Sequence, residues 1–218
     1  AYVFVRSGVT WTQQKKLTAD VGAIRDYFGH AVALSGETAL VGARGAKVGS
    51  NDDQGAVYVF VRSGTTWTPQ EKLTADDGAA DDEFGNAVAL SGATALVGAR
   101  DADVGGNDRQ GAVYVFVRSG ATWTQQEKLT ADDGAAGDDF GRSVALSGAT
   151  TAFSRGATAL VGAREADVGG NRDQGAAYVF HVPIPRPIPT MTEWGMIMLA
   201  LLLAGSAIWA WRRRIRII

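Results

Sequence analysis

No cysteine occurs in the 218 residues, so neither a disulfide framework nor a thiolate metal site can be built. Histidine is nearly as scarce. The two present, His30 and His181, do not recur at equivalent places in the repeats set out below, where Asn86 and Arg142 stand opposite His30. The chain therefore offers no convergent imidazoles for a metal site or a catalytic triad. Proline is confined: of five, only Pro69 lies outside the stretch 183–189. A basic body is missing too. The segment 183–218 takes five arginines and one acid, which leaves residues 1–182 with sixteen basic and twenty-two acidic side chains, a net charge of −6. An acidic body excludes a nucleic-acid partner, which calls for clustered positive charge.

What is present is repetition. GAVYVFVRSG stands at 55–64 and again at 111–120, and Tyr2, Tyr58 and Tyr114 follow one another at intervals of 56. Tyr178 comes 64 residues after Tyr114, so the last copy carries eight extra residues, Thr151 to Thr158. A fixed period of this size denotes a repeat architecture. The chain opens in mid-repeat, since Ala1-Tyr2-Val3-Phe4 matches the second half of a copy. Further chain, with any signal peptide, is expected upstream.

One copy contains four strand-like runs. Phe84 to Leu90 ends at Ser91-Gly92-Ala93-Thr94, a tight hairpin signal. Ala95 to Ala99 follows, then a polar loop from Arg100 to Gln110. Ala112 to Val117 is apolar on both faces, as a strand between neighbouring sheets should be. In the fourth run, Thr122 to Leu129, Trp123 and Leu129 alternate with Thr124, Gln126 and Lys128. The equivalent run of the preceding copy holds Pro69, which places it at a sheet edge. The fold class is thus all-β: antiparallel four-stranded blades of a partial β-propeller, two strands, then four, four and three, stabilised by stacking on neighbours.

Phe28-Gly29 with Gly42-Ala43, Phe84-Gly85 with Gly98-Ala99, and Phe140-Gly141 with Gly162-Ala163 resemble FG-GAP repeats, the blades of integrin-α-like propellers. The resemblance covers residues 1–182, as a partial copy over 1–19 and copies starting near 20, 76 and 132. It implies a longer propeller of which this chain is an open arc. Arg44, Arg100 and Arg164 stand where the pattern has proline. Many calcium-binding members carry an Asp-rich loop between the first two strands; here that loop is Ser-Gly-Glu-Thr or Ser-Gly-Ala-Thr.

Composition changes at Pro183. Alternating prolines through Pro189 read as an extended spacer over 183–193. Gly195 to Trp211 is a run of seventeen residues without a charge. As a helix it spans roughly 25 Å, the low end for crossing a bilayer. A transmembrane helix and basic tail are expected over 194–218, with membrane lipid as the partner of 194–211. Arg212, Arg213 and Arg214 act as the stop-transfer cluster, which puts the C-terminus in the cytoplasm and the repeats outside. Ile188, Pro189, Thr190, Met191, Trp194 and Gly195, followed by an apolar stretch and arginines, resemble an IPTL-type C-terminal sorting signal, with Met191 in place of leucine. The resemblance implies recognition by an exosortase-like membrane enzyme of a Gram-negative bacterium, a precursor in the inner membrane and a mature protein at the cell surface or released.

The loops supply hard oxygen donors of the kind calcium uses: Asp101, Asp103 and Asn107 in one copy, Asp167 and Asn171 in the next. The spacing is not that of an EF-hand, because Gly105 stands at the third ligand place, and the first copy has Gly45 and Lys47 instead. Turn-forming aspartates are the competing reading. The acidic group Asp76, Asp77, Asp81, Asp82 and Glu83 has a first-copy counterpart interrupted by Val21 and Arg25. No cofactor and no catalysis are expected. Two functions remain: a non-catalytic surface module for adhesion, with an unknown extracellular ligand, or the accessory propeller of an exported hydrolase whose catalytic domain lies upstream. Two structural expectations complete the reading. The extra residues Thr151–Thr158 should bulge from a hairpin turn, and Asp26, Asp82 and Asp138 should pair with Arg44, Arg100 and Arg164, one contact per blade.

Overall fold

The computed structural model describes residues 1–148 and 156–183, all within one compact unit, Ala1–Ile184; the expected helix, the sorting motif and Arg212–Arg214 lie outside the described residues. Among the described residues no helix is long and apolar enough to cross a membrane. Four antiparallel sheets follow one another along the chain. The first pairs β1 (Tyr2–Ser7) with β2 (Thr10–Lys16). The second contains β3 (Val32–Ser35), β4 (Thr38–Ala43), β5 (Ala56–Ser63) and β6 (Thr66–Leu73) in that order. The third repeats it as β7 (Ala87–Ser91), β8 (Thr94–Ala99), β9 (Ala112–Ser119) and β10 (Thr122–Leu129). The fourth holds β11 (Phe140–Ser147), β12 (Gly156–Ala163) and β13 (Ala176–Pro183). Each strand pairs with its sequence neighbour; two-residue turns join β1–β2, β3–β4, β5–β6, β7–β8 and β9–β10, while longer polar loops join β4–β5, β8–β9 and β12–β13. Gly36 and Gly92, at φ +57°, supply the conformation that such a hairpin requires. β6, with Pro69, is an edge strand, as its proline demands.

Stacking follows from the two faces of each sheet. On the third sheet, Ala95, Val97, Tyr114, Phe116 and Trp123 face the second sheet and join Leu40, Val57 and Val59 in one cluster. Its other face, Leu96, Val113 and Val115, meets Phe140, Ala159 and Val161 of the fourth copy. An aromatic face therefore packs on an aliphatic one at each junction. Where a sheet has no neighbour the same positions are open: Tyr2 and Phe4 are 57% and 52% exposed, and Val179 is 71% exposed.

The Phe-Gly and Gly-Ala signatures meet at these junctions. Phe84 packs edge-to-face on Tyr114 and Phe116, with centroids 5.5 and 6.0 Å apart. Phe28 and Phe140 do the same on Tyr58 with Phe60 and on Tyr178 with Phe180. A Cβ at Gly42 or Gly98 would lie 2.1 or 2.0 Å from the carbonyl oxygen of Gly85 or Gly141 in the following copy, so only glycine admits this approach.

A correction concerns the fourth strand. Register shifts leave Gln14, Gln70 and Gln126 without a partner in β2, β6 and β10. The bulge reverses the alternation, so Trp123 faces the second sheet while Leu129 faces the fourth copy. Strict alternation would have put them on one face. The eight-residue insertion is only partly described. Thr158 pairs with Ser147 as Thr94 pairs with Ser91, and Gly156 and Ala157 extend β12 to pair with Pro183 and Val182. Part of the insertion is thus strand, with Ala157 buried.

Candidate functional site

The loops that lead into each copy and the loops after β4, β8 and β12 hold the charged side chains. Asp26, Asp82 and Asp138 are buried and close local turns, their Oδ2 atoms accepting the N–H of Ala23, Ala79 and Ala135 at 2.7, 2.7 and 2.8 Å. Burial, the largest influence on Asp82, raises its pKa against the lowering effect of that hydrogen bond. The expected Asp–Arg contact is displaced by one residue. Arg44 ion-pairs with Glu83, and Arg100 donates its Nε to the other oxygen of Glu83 at 2.8 Å, so one carboxylate joins arginines of two successive sheets. Asp139, directly before Phe140, takes that place next, with Arg142, Arg109 and Arg164 at 3.2, 3.5 and 3.7 Å. Glu83 and Asp139 have φ of +53° and +54°, which turns these side chains toward the arginines. Burial, Glu165 and Asp101 raise the pKa of Asp139 against Arg100 and Arg109.

The oxygen donors singled out as calcium candidates engage protein groups. Asp101 accepts from Arg109 Nε at 2.9 Å and lies 3.3 Å from Arg100. Asp103 and Asp167 accept the backbone N–H of Arg109 and Asp173 at 2.9 and 2.8 Å. Asn107 donates to Gln110 and to the Gly134 carbonyl at 2.8 and 3.1 Å, and Asn171 donates to Gln174 at 2.8 Å. Among the described residues no group of three or more His, Cys, Asp or Glu side chains is arranged to hold a metal ion.

A second constellation recurs with one exception. In the third sheet the Tyr114 hydroxyl donates to Asp77 Oδ1 at 2.9 Å and Lys128 Nζ donates to Asp77 Oδ2 at 2.6 Å. Tyr178 likewise donates to Asp133 at 2.9 Å. Burial opposes ionisation of Asp77, yet the hydrogen bonds from Lys128 and Tyr114 hold its pKa below the ordinary value. The neighbouring Asp76 N–H is fixed by Gln125 Oε1 at 3.1 Å. In the second sheet Tyr58 and Lys72 keep the same relation, the ammonium 5.6 Å from the ring centroid against 5.3 Å for Lys128 and Tyr114. But Val21 stands where Asp77 stands, and Pro69 where Gln125 stands. Instead of closing, the loop leaves a cavity of about 600 Å³ whose lining includes Asp20, Val21, Tyr58, Pro69, Glu71 and Lys72. Sequence reading noticed Val21 only as an interruption of an acidic run. The signal that could have found the site was a Tyr–Lys pair kept at constant spacing while its acid was lost.

Residues 11–60, 67–116 and 123–180 match the FG-GAP repeat family, and residues 186–213 match the IPTL-CTERM motif. A search of curated proteins finds no match.

Proposed function

We propose, since the chain belongs to the FG-GAP repeat family and carries an IPTL-CTERM motif, that it is a non-catalytic, surface-anchored repeat module for adhesion or binding, exported and sorted through its C-terminal signal. The observation that carries this reading is the coupling of a repeat body to that motif, with an uncharged stretch and Arg212–Arg214 at its end. The four sheets are read as successive blades of a partial, integrin-like β-propeller. Ile188-Pro189-Thr190-Met191 with Trp194-Gly195 is the segment an exosortase-like enzyme would recognise in the membrane-held precursor, whose C-terminus is cytoplasmic.

The non-catalytic reading is supported by how the polar groups are used. The recurring carboxylates close turns or receive arginine, tyrosine and lysine. A group repeated in each copy and engaged in the fold is a structural element. What varies between copies, the loops around the second sheet's cavity, is where a ligand would be selected.

Protease treatment of intact cells tests the reading. The repeat body should be cleaved on unbroken cells and recovered with the envelope. Recovery of the full chain from the soluble cytoplasm would overturn it.

A further inference from the structure

The second sheet retains two hydrogen-bond donors for a carboxylate that its own copy does not supply. Tyr58 and Lys72 are register partners across β5 and β6, as Tyr114 and Lys128 are across β9 and β10. In the third sheet that pair grips Asp77. In the second sheet the Tyr58 hydroxyl donates only to the Val21 carbonyl, at 3.4 Å, and Lys72 makes no hydrogen bond or ion pair among the described residues. Val21 is 85% exposed and its side chain offers neither donor nor acceptor to the pair. Both interactions that draw the sister loop down, through Asp77 and through Gln125, are lost together, and the cavity lies at the place they vacate.

We propose that this cavity binds a hexuronic acid residue of an acidic polysaccharide, its carboxylate taking the position that Asp77 occupies in the third sheet. The proposal deepens the reading of the chain as a binding module and rests on it. The sister copy demonstrates the chemistry: the same phenol and ammonium hold a carboxylate there even with Asp76, Asp82 and Asp103 around it. Relative to the third sheet, one acid is exchanged for a base at the rim, where Lys47, paired with Asp52 at 2.6 Å, replaces Asp103; Asp20, Asp26 and Glu71 remain in the lining. A carboxylate alone would fill little of 600 Å³. Asp20 and the Oε1 of Glu71, whose Oε2 accepts the Trp123 N–H at 2.9 Å, are acceptors in the lining for the hydroxyl groups of a sugar ring. Tyr2 and Lys16 repeat the pair on the first sheet, with the ammonium 5.9 Å from the ring, but outside this cavity.

The test is a ligand-observed NMR titration of the full chain in detergent micelles with sodium D-glucuronate, D-glucose and N-acetyl-glutamate amide. Glucuronate should bind with a dissociation constant on the order of millimolar, about tenfold or more tighter than glucose, because glucose cannot accept the charge-assisted hydrogen bonds. Val21→Asp should install the missing acid and weaken glucuronate about tenfold or more without lowering the melting temperature. Lys72→Met should weaken it similarly, and decides the matter if Val21→Asp fails to fold. Absence of glucuronate binding, equal binding of glucose, or full affinity in Lys72→Met overturns the proposal. Tighter binding of N-acetyl-glutamate amide than of glucuronate overturns the sugar assignment in favour of a peptide carboxylate. Surface exposure on intact cells is read separately, so a failed titration leaves the surface-module reading standing on its own test.

Discussion

The indole N–H of Trp67 donates to Gln14 Oε1 at 2.9 Å, and that glutamine is the residue left out of the pairing between β1 and β2. Trp123 and Gln70 repeat the contact one copy later at 3.4 Å. A bulge thus aims a polar side chain at the next sheet's buried tryptophan, satisfying an indole that would otherwise be unpaired. Gln14→Ala should destabilise the repeat body by about 1 kcal/mol, and Gln70→Ala by less, its bond being longer. Urea midpoints at unchanged m-value provide the measurement.

Glycine at the copy junctions is a packing requirement. Gly98→Ala would put a Cβ 2.0 Å from the Gly141 oxygen, a backbone atom that cannot step aside. The fourth copy would have to shift, and the expected loss is about 2–3 kcal/mol. Gly64→Ala is the control. Nothing lies within 4 Å of that site, and only its φ of +61° opposes the change, so the loss should be about 1 kcal/mol. Equal losses in thermal or urea unfolding would show that the junction is looser than the geometry states.

Much of the fold was legible in the sequence because its signals are local and repeated three times. The fourth run was read as Thr122–Leu129 and β10 has those bounds. The first run was read from Phe84, yet β7 begins at Ala87. Phe84 instead forms an isolated parallel bridge with Gly55 of the preceding copy and the Gly85 N–H donates to the Gly98 carbonyl at 2.9 Å, whereas the equivalent Phe140 and Gly141 open β11. The Asp–Arg pairing was misplaced by one residue because the positive φ at Glu83 and Asp139 redirects those side chains, which spacing alone does not reveal. The bulge at Gln126 was equally silent, since it falls within the polar run Thr124–Lys128, where no apolar residue marks a change of face. The cavity at Val21 depends on a loop failing to close, and that is visible only when two copies are compared in space.

The Tyr–Asp contacts give stability a pH dependence with two limbs. The pKa of Asp77 is lowered in the folded state, so its contribution is complete above the unfolded value of about 3.9 and is lost as pH falls through the folded value. Burial, then hydrogen bonding to Asp133, pushes Tyr178 up to about 12. The folded state therefore keeps a proton that the unfolded chain releases near its ordinary value of about 10, and stability falls as pH rises from there. Asp77→Asn should make the acid limb shallower, and Tyr178→Phe the alkaline limb, of a plot of unfolding free energy against pH; Tyr114, whose pKa burial and Asp77 raise further, keeps part of the alkaline limb in the second variant. An unchanged alkaline limb in Tyr178→Phe would refute that assignment.

Calcium should have little effect on the repeats. Asp101 and Asp103 already accept from Arg109, and the arginines nearby repel a second cation. A site of millimolar affinity would raise stability by about 1.4 kcal/mol at a tenfold excess of calcium over its dissociation constant. The expected outcome is no shift in melting temperature on adding calcium or a chelator. A rise on that scale, abolished in Asp103→Asn, would assign the loop to the metal.

The last prediction concerns the tail. Residues Gly195 to Trp211 carry no charge, and under the proposed function this stretch is the transmembrane segment of the precursor. In that reading Arg212, Arg213 and Arg214 at one end set which way it inserts, because moving a charged guanidinium through the bilayer centre costs about 2.5–3.5 kcal/mol even on the most permissive insertion scale. Replacing all three by glutamine should cause inverted or incomplete insertion, read as loss of surface protease sensitivity of the repeats. With that orientation, Ile188-Pro189-Thr190 would lie at the outer membrane–water boundary, within reach of an exosortase-like enzyme. Mass spectrometry of the mature protein should then find peptides that end upstream of Trp194 and almost none running from Pro183 through Ile218. Substituting Pro189→Ala should leave the precursor in the membrane uncut. If the intact tail persists on most surface molecules, the segment anchors the protein without being processed, and the sorting half of the proposal fails while the anchoring half stands.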